Sequence, residues 1–178
     1  MIANFARVVA IDASLASTGV AVHYPDGRIV TGTIATKGKR GDTLAERSHR
    51  IGFILGQLNN YWGTADLVVI EGPAGAAPGG STWDRAGLWW GIVNRILIHC
   101  PVAVVAPLTR AKWATGNGRS DKAAVAIAMS KRAPEVELAN SDEADALALA
   151  WMGAQWLGWR PVKNKVEQAC LDVARWPE

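Results

Sequence analysis

A chain of 178 residues, 49% hydrophobic and 20% charged, has the size and composition of one globular domain with a single core, and residues 1–178 are read as that domain. Nineteen Lys and Arg against sixteen Asp and Glu leave a formal charge of +3, a mildly basic balance that suits a polyanionic partner without naming one. No apolar run reaches the roughly 18 residues of a membrane span, and residues 1–7 lack the basic start and apolar stretch of a secretory signal, so a cytoplasmic protein is expected. Cys100 and Cys170 lack metal-type spacing and read as reduced core thiols. His23, His49 and His99 are scattered, which argues against a zinc site.

Residues 7–11 (RVVAI) form a short β-branched run, expected as a buried strand. Residues 19–24 and 28–34 read as two further strands joined by the Pro25-Asp26-Gly27 turn, giving an antiparallel meander. A basic loop at 35–41 precedes a helix to about residue 60, capped by Asp42 or Thr43. Residues 67–70 (LVVI) are a buried strand and 72–81 a Gly-, Ala- and Pro-rich flexible loop. Then follow a helix at 82–98, a strand at 102–106, and helices at 109–115, 121–132, 142–157 and 163–174. A hairpin start followed by alternating elements implies an α/β fold: a mixed five-stranded sheet, antiparallel then parallel, with helices on its faces.

Asp12 follows directly on the first strand and Glu71 on the 67–70 strand. If those strands are parallel neighbours, both acids emerge at the carboxyl edge of the sheet, where open α/β sheets place their sites. The segment 140–150 (NSDEADALALA) adds Asp142 and Asp145, three apart and on one helical face, with Leu147, Ala148 and Ala150 to press that helix onto the sheet. Asn140 as N-cap with Glu143 as its capping-box partner accounts for Glu143, and the helix dipole can account for Asp142 alone. Asp145 lies past the cap among residues that should be packed. Four gathered carboxylates repel one another unless a cation lies among them. Oxygen ligands without His or Cys select Mg²⁺ or Mn²⁺. Two such ions, roughly 3.5–4 Å apart, can activate a water and stabilise the leaving oxygen in phosphodiester hydrolysis.

On these residues the chain resembles the RuvC-type Holliday junction resolvases of the ribonuclease H-like superfamily. Residues 8–22 (VVAIDASLASTGVAV) look like the family's opening strand and turn, 68–71 (VVIE) like its second acidic strand, 142–150 (DEADALALA) like its last acidic helix, and 107–125 (PLTRAKWATGNGRSDKAAV) like its basic segment. The four occur in the family's order and cover most of the chain. The resemblance implies a ribonuclease H-like fold and a homodimer that binds a four-way junction, each subunit nicking one strand with Mg²⁺ or Mn²⁺. Asp12, Glu71, Asp142 and Asp145 fall at the family's acidic positions, where the third is Asp or His. Lys112 and Lys122 fall where the family places basic residues near the scissile phosphate. The family often has an aromatic soon after the second acid; this chain has Gly, Ala and Pro there, with Trp83 only at the loop's end. In compactness and tryptophan content the chain is more similar to a phage or mobile-element version than to a typical bacterial one.

Arg110, Lys112, Arg119, Lys122, Lys131 and Arg132 lie within one stretch whose only acid is Asp121, and Lys37, Lys39, Arg40, Arg47 and Arg50 form a second group. Both read as phosphate clamps beside the acids, or as solvated faces. The 82–98 helix has more apolar residues than one face on a sheet needs, with Gly87 and Gly91 four apart, and reads as a dimer interface or as a helix sandwiched within the monomer. The competing functions are a same-fold nuclease for flaps, RNA–DNA hybrids or RNA, a non-catalytic DNA-binding relative, and an actin-like module using Asp12 and Gly19 to hold ATP.

Overall fold

The computed structural model describes residues 6–73 and 82–178. The expectations for residues 1–5, and for the 72–81 loop from residue 74 onward, lie outside the described residues. The strands are β1 (Val8–Asp12), β2 (Ser17–His23), β3 (Ile29–Ala35), β4 (Leu67–Glu71) and β5 (Val102–Val105). The helices are α1 (Leu44–Trp62), α2 (Thr82–Ile96), α3 (Pro107–Thr115), α4 (Lys122–Arg132), α5 (Ser141–Trp156) and α6 (Lys165–Val173). The strands form one sheet in the order β3-β2-β1-β4-β5. β1, β2 and β3 make the antiparallel meander, and β4 and β5 join β1 in parallel. Among the described residues no helix is long and apolar enough to cross a membrane.

Successive strand residues point to opposite faces, so the sheet supports two cores. Val9, Ile11, Val68 and Ile70 face α1 and α2, whose Ile54, Leu58, Leu88 and Ile92 complete that cluster. Val8, Ala10, Leu67 and Val69 face α5 and, beyond it, α3 and α4. α5 is buried from Glu143 to Gln155 because the sheet covers one side and other helices the rest. A helix apolar all round is stable only in such a place. Its alanines permit the close approach, and Gly153 completes it: a Cβ there would lie 2.7 Å from Val69 and 2.8 Å from Val8. Cys100 and Cys170 are free, buried thiols.

The structure decides between some local expectations and corrects others. Thr43, not Asp42, caps α1, in a capping box with Glu46; Asp42 accepts instead from the Lys39 amide. α3 starts two residues early because Pro107 suits the first helical turn. Asn140 caps α5 as expected, but Glu143 does not return to its amide. The buried Glu143 carboxylate accepts from the Thr31 and Thr33 hydroxyls, each at 3.0 Å, and from the Ala139 amide at 3.1 Å. It ties the α5 entry to edge strand β3, a long-range role that outweighs the local box. α2 ends at Ile96, and Gly91 meets Leu55 of α1 in the same chain. Leu88, Ile92, Val93 and Ile96 are buried, while Trp83, Trp90, Leu97 and Ile98 remain exposed.

Candidate active site

Asp12 and Glu71 end β1 and β4, and the parallel register sets Ile11 beside Ile70. One residue further, the two acids leave the sheet at the same edge. Alternation also fixes the face: Asp12 continues the row of Val8 and Ala10, and Glu71 that of Leu67 and Val69, the rows that lie against α5. α5 enters at that edge, its first turn held by Asn140, which accepts from the Asp142 and Glu143 amides at 3.0 Å each. Gly19 of β2 pairs across from Asp12 in the hairpin. A Cβ on Gly19 would lie 2.0 Å from the Asp142 carbonyl oxygen, so the bare glycine is what allows α5 to set Asp142 beside Asp12.

The result is a tight acidic cluster. One carboxylate oxygen from each of Asp12, Asp142 and Asp145 lies within 4.8 Å of the others. Asp145 is 0% exposed and Asp12 6%. Asp12 Oδ2 and Asp145 Oδ2 are buried without a hydrogen-bond partner. Asp142 accepts from Ser17 Oγ at 2.5 Å and from Lys122 Nζ at 2.6 Å. The same ammonium lies 3.7 Å from Asp145 Oδ2 and 3.8 Å from Asp12 Oδ2. Lys122 thus reaches over the three acids from the first turn of α4 and remains 57% exposed. A divalent cation fits this donor set: the ligands are hard oxygens alone, and two of them are buried without a hydrogen bond, at salt-bridge distance from one lysine ammonium.

Glu71 is not part of that trio. The Arg110 guanidinium of α3 bridges it to Asp145, Nε donating to Glu71 and Nη1 to Asp145. Arg110, expected on a DNA-contacting surface, is buried. Lys112, two residues on, is exposed, and Arg119 is exposed on the loop before α4. In the second basic group, Arg47 and Arg50 face Asp84 at 2.6 and 3.8 Å and so tie α1 to α2, while Lys37, Lys39 and Arg40 are exposed. Trp89 donates from Nε1 to the Glu71 carbonyl at 2.9 Å, which fixes the end of β4 against α2.

Burial drives the site's titration. It raises Asp12 above the usual carboxylate range against the pull of Lys122 and Arg110, with Asp142 adding to the rise. It raises Glu71 to about 7, helped by the Asp12 charge and opposed by Arg110. Burial also acts on Asp142, but hydrogen bonds from Lys122 and Ser17 hold that group below its ordinary value. A carboxyl group raised in the folded state stabilises the protein fully below its unfolded value and loses that contribution as pH rises through the folded value. For Glu71 the window runs from about 4.5 to about 7. His23, buried and lowered to about 4, has the opposite slope in part of this window, so the informative quantity is a difference between variants. Without divalent ions, Glu71→Gln is expected to melt about 5 °C above the wild type at pH 8 and close to it at pH 4.5. Melting curves at the two pH values check this; an equal gap at both would remove the assigned shift.

No protein-family model matches the chain, and no curated protein matches it in sequence. In three dimensions it is similar to Thermus thermophilus RuvC, with a TM-score of 0.63 and 17% identity over 96% of this chain and 99% of that one. The T. thermophilus RuvC structure in complex with Holliday junction substrate gives the same TM-score and shares of both chains at 15% identity.

The chain has the RuvC fold. The mixed sheet is therefore ribonuclease H-like, as the order of elements implied. Two residues of the site have roles that the sequence pattern does not display. Gly19, a nucleotide contact in the actin-like alternative, makes room for α5. Arg110 stands among surface cations in the sequence, but its spacing from the buried Trp113 and Ala114 places it on the inner face of α3.

Proposed function

We propose that the protein is a divalent-metal-dependent endonuclease that nicks branched DNA in the cytoplasm and resolves four-way junctions by paired cuts. The observation that carries this reading is the convergence of Asp12, Asp142 and Asp145 at the carboxyl edge of a RuvC-fold sheet, with two of their oxygens buried and unsatisfied. Asp12, Asp142 and Asp145 would hold Mg²⁺ or Mn²⁺, and Glu71 completes the acidic set. The bound ion would supply the activation of a water and the neutralisation of charge at the phosphate. Lys122 lies over the acids on a flexible, half-exposed stem and is suited to meet the phosphate they act on. Lys112 and Arg119 offer further charge to the backbone. The RuvC structure with a bound Holliday junction supports four-way DNA as the first substrate to test.

Purified protein with Mg²⁺ or Mn²⁺ is incubated with four-way junction, flap, duplex and RNA–DNA hybrid substrates. Paired symmetric nicks confined to the junction support the proposal. Cutting of flaps or hybrids alone reassigns the substrate, and ATP turnover without cleavage overturns the nuclease reading. Lys122→Ala is expected to lower the slope of log affinity against log salt by about 0.9, the loss of one phosphate contact. An unchanged slope and cutting rate would take Lys122 off the DNA surface.

Paired cuts require two subunits, and α2 is the face for them in this proposal. Trp83 and Trp90 lie on its outer side at helical spacing, with Leu97 just past its end, and are 85%, 57% and 59% exposed, an apolar stripe of the kind that marks an interface. Trp90→Glu is expected to convert a dimer to a monomer in sedimentation equilibrium, with a melting temperature that no longer rises with protein concentration. A wild-type chain that sediments as a monomer at 100 μM would refute this assignment.

A further inference from the structure

Four carboxylates suggested two metal ions, but two side chains already hold positive charge among them. They differ in how firmly they are held. Lys122 is 57% exposed on a flexible stem, so an incoming cation can displace its ammonium from the three aspartates. Arg110 is 7% exposed, enters from the packed face of α3, and binds Glu71 and Asp145 through two separate nitrogens. A planar guanidinium fixed in this way and always charged does not yield its place readily.

We propose that this site takes one divalent ion per chain, held by Asp12, Asp142 and Asp145, and that Arg110 is a positioning residue standing as the permanent cation on the Glu71 side. The inference rests on the metal-site reading above. With Lys122 displaced, the four acids and Arg110 carry a formal charge of −3 in place of the −4 of the acids alone, so the guanidinium already offsets part of the charge that would draw a second divalent ion. The oxygens without a hydrogen bond are likewise on the trio: Asp12 Oδ2 and Asp145 Oδ2 have only the displaceable Lys122 ammonium near them, while the Glu71 carboxylate is engaged by Arg110. With Glu71 fixed by an organic cation, the acid at the end of β4 serves to orient Arg110, and Arg110 in turn orients Asp145 for the ion.

The test is the stoichiometry of Mn²⁺ binding to the full chain at pH 8, by calorimetry and by electron paramagnetic resonance of free Mn²⁺. One ion per chain is expected for the wild type. Glu71→Gln is nearly isosteric and is expected to keep one ion with a Kd within about threefold, whereas Asp12→Asn is expected to weaken binding at least tenfold. Arg110→Ala, which vacates the Glu71 side, is expected to admit a second ion. Two ions on the wild type, or a tenfold loss of affinity in Glu71→Gln, overturns the assignment of Arg110 while leaving the metal site intact. No binding by the wild type overturns both readings. If Arg110→Ala fails to fold, the wild type and Glu71→Gln still decide the question.

Discussion

Asp145→Asn is expected to reduce junction cleavage by at least about 10³-fold while junction affinity stays within about threefold. The substitution changes almost no volume. It removes one negative charge from the most buried member of the cluster, the residue through which Arg110 and the candidate ion meet. Charge stabilisation by a bound metal contributes several kcal/mol in the transition state, and each 1.36 kcal/mol is tenfold in rate. Binding to DNA rests on outer cations, and the one that reaches Asp145, Lys122 at 3.7 Å, keeps its closer bond to Asp142 at 2.6 Å. Nicking rates and gel-shift affinities measured on the same junction separate the two effects. A variant that cuts at the normal rate would show that Asp145 serves the fold alone; a variant that neither cuts nor binds would point to collapse of the α5 entry.

Gly19→Ala is the second large effect, and it acts through space. The added methyl would lie 2.0 Å from the Asp142 carbonyl oxygen and 2.5 Å from its carbon, both backbone atoms that cannot rotate aside. Overpacking of side chains costs about 1–3 kcal/mol, and a backbone obstacle belongs at or above the upper end of that range. About 3 kcal/mol in a chain of this length corresponds to a fall of about 10 °C in melting temperature. Because the obstructed atoms belong to Asp142, Mn²⁺ affinity should fall at least tenfold even in the fraction that folds. Gly52→Ala is the control. It lies on the solvent face of α1 with nothing within 4 Å, and it is expected to raise stability by about 0.5–1 kcal/mol through helix propensity. If both variants melt like the wild type, the close approach of α5 to β2 is not a constraint.

The sequence revealed those parts of the fold that depend on one segment at a time. RVVAI and LVVI are buried strands because they are wholly apolar, and an acid directly after each can only sit at a strand end. The spacing of Asp142 and Asp145 places them on one helical face whatever the helix packs against. The hidden parts depend on two segments at once. Glu143 satisfies a local capping pattern on paper, yet two threonines more than 100 residues earlier claim its carboxylate. Arg110 resembles its basic neighbours until the phase of α3 against α5 turns it inward. Gly19 has no conformational peculiarity to advertise it, since its need is for empty space above the strand. The tryptophans divide in the same way: Trp113 and Trp151 meet edge to face in the core at 6.3 Å, while Trp83 and Trp90 face outward, and only the packing tells them apart.

The placement of α5 has a bearing on the life of the chain before it is finished. The acidic centre draws on residue 12 at one end and residue 145 at the other, with α5 enclosed between the sheet and helices that precede it in the chain. Synthesis runs from the amino terminus, so the meander and the parallel strands emerge with an empty trough where α5 will lie. A nascent or truncated polypeptide ending before that helix contains two of the acids but no means of gathering the others. The proposed metal centre therefore cannot assemble until α5 has left the ribosome and closed onto the sheet.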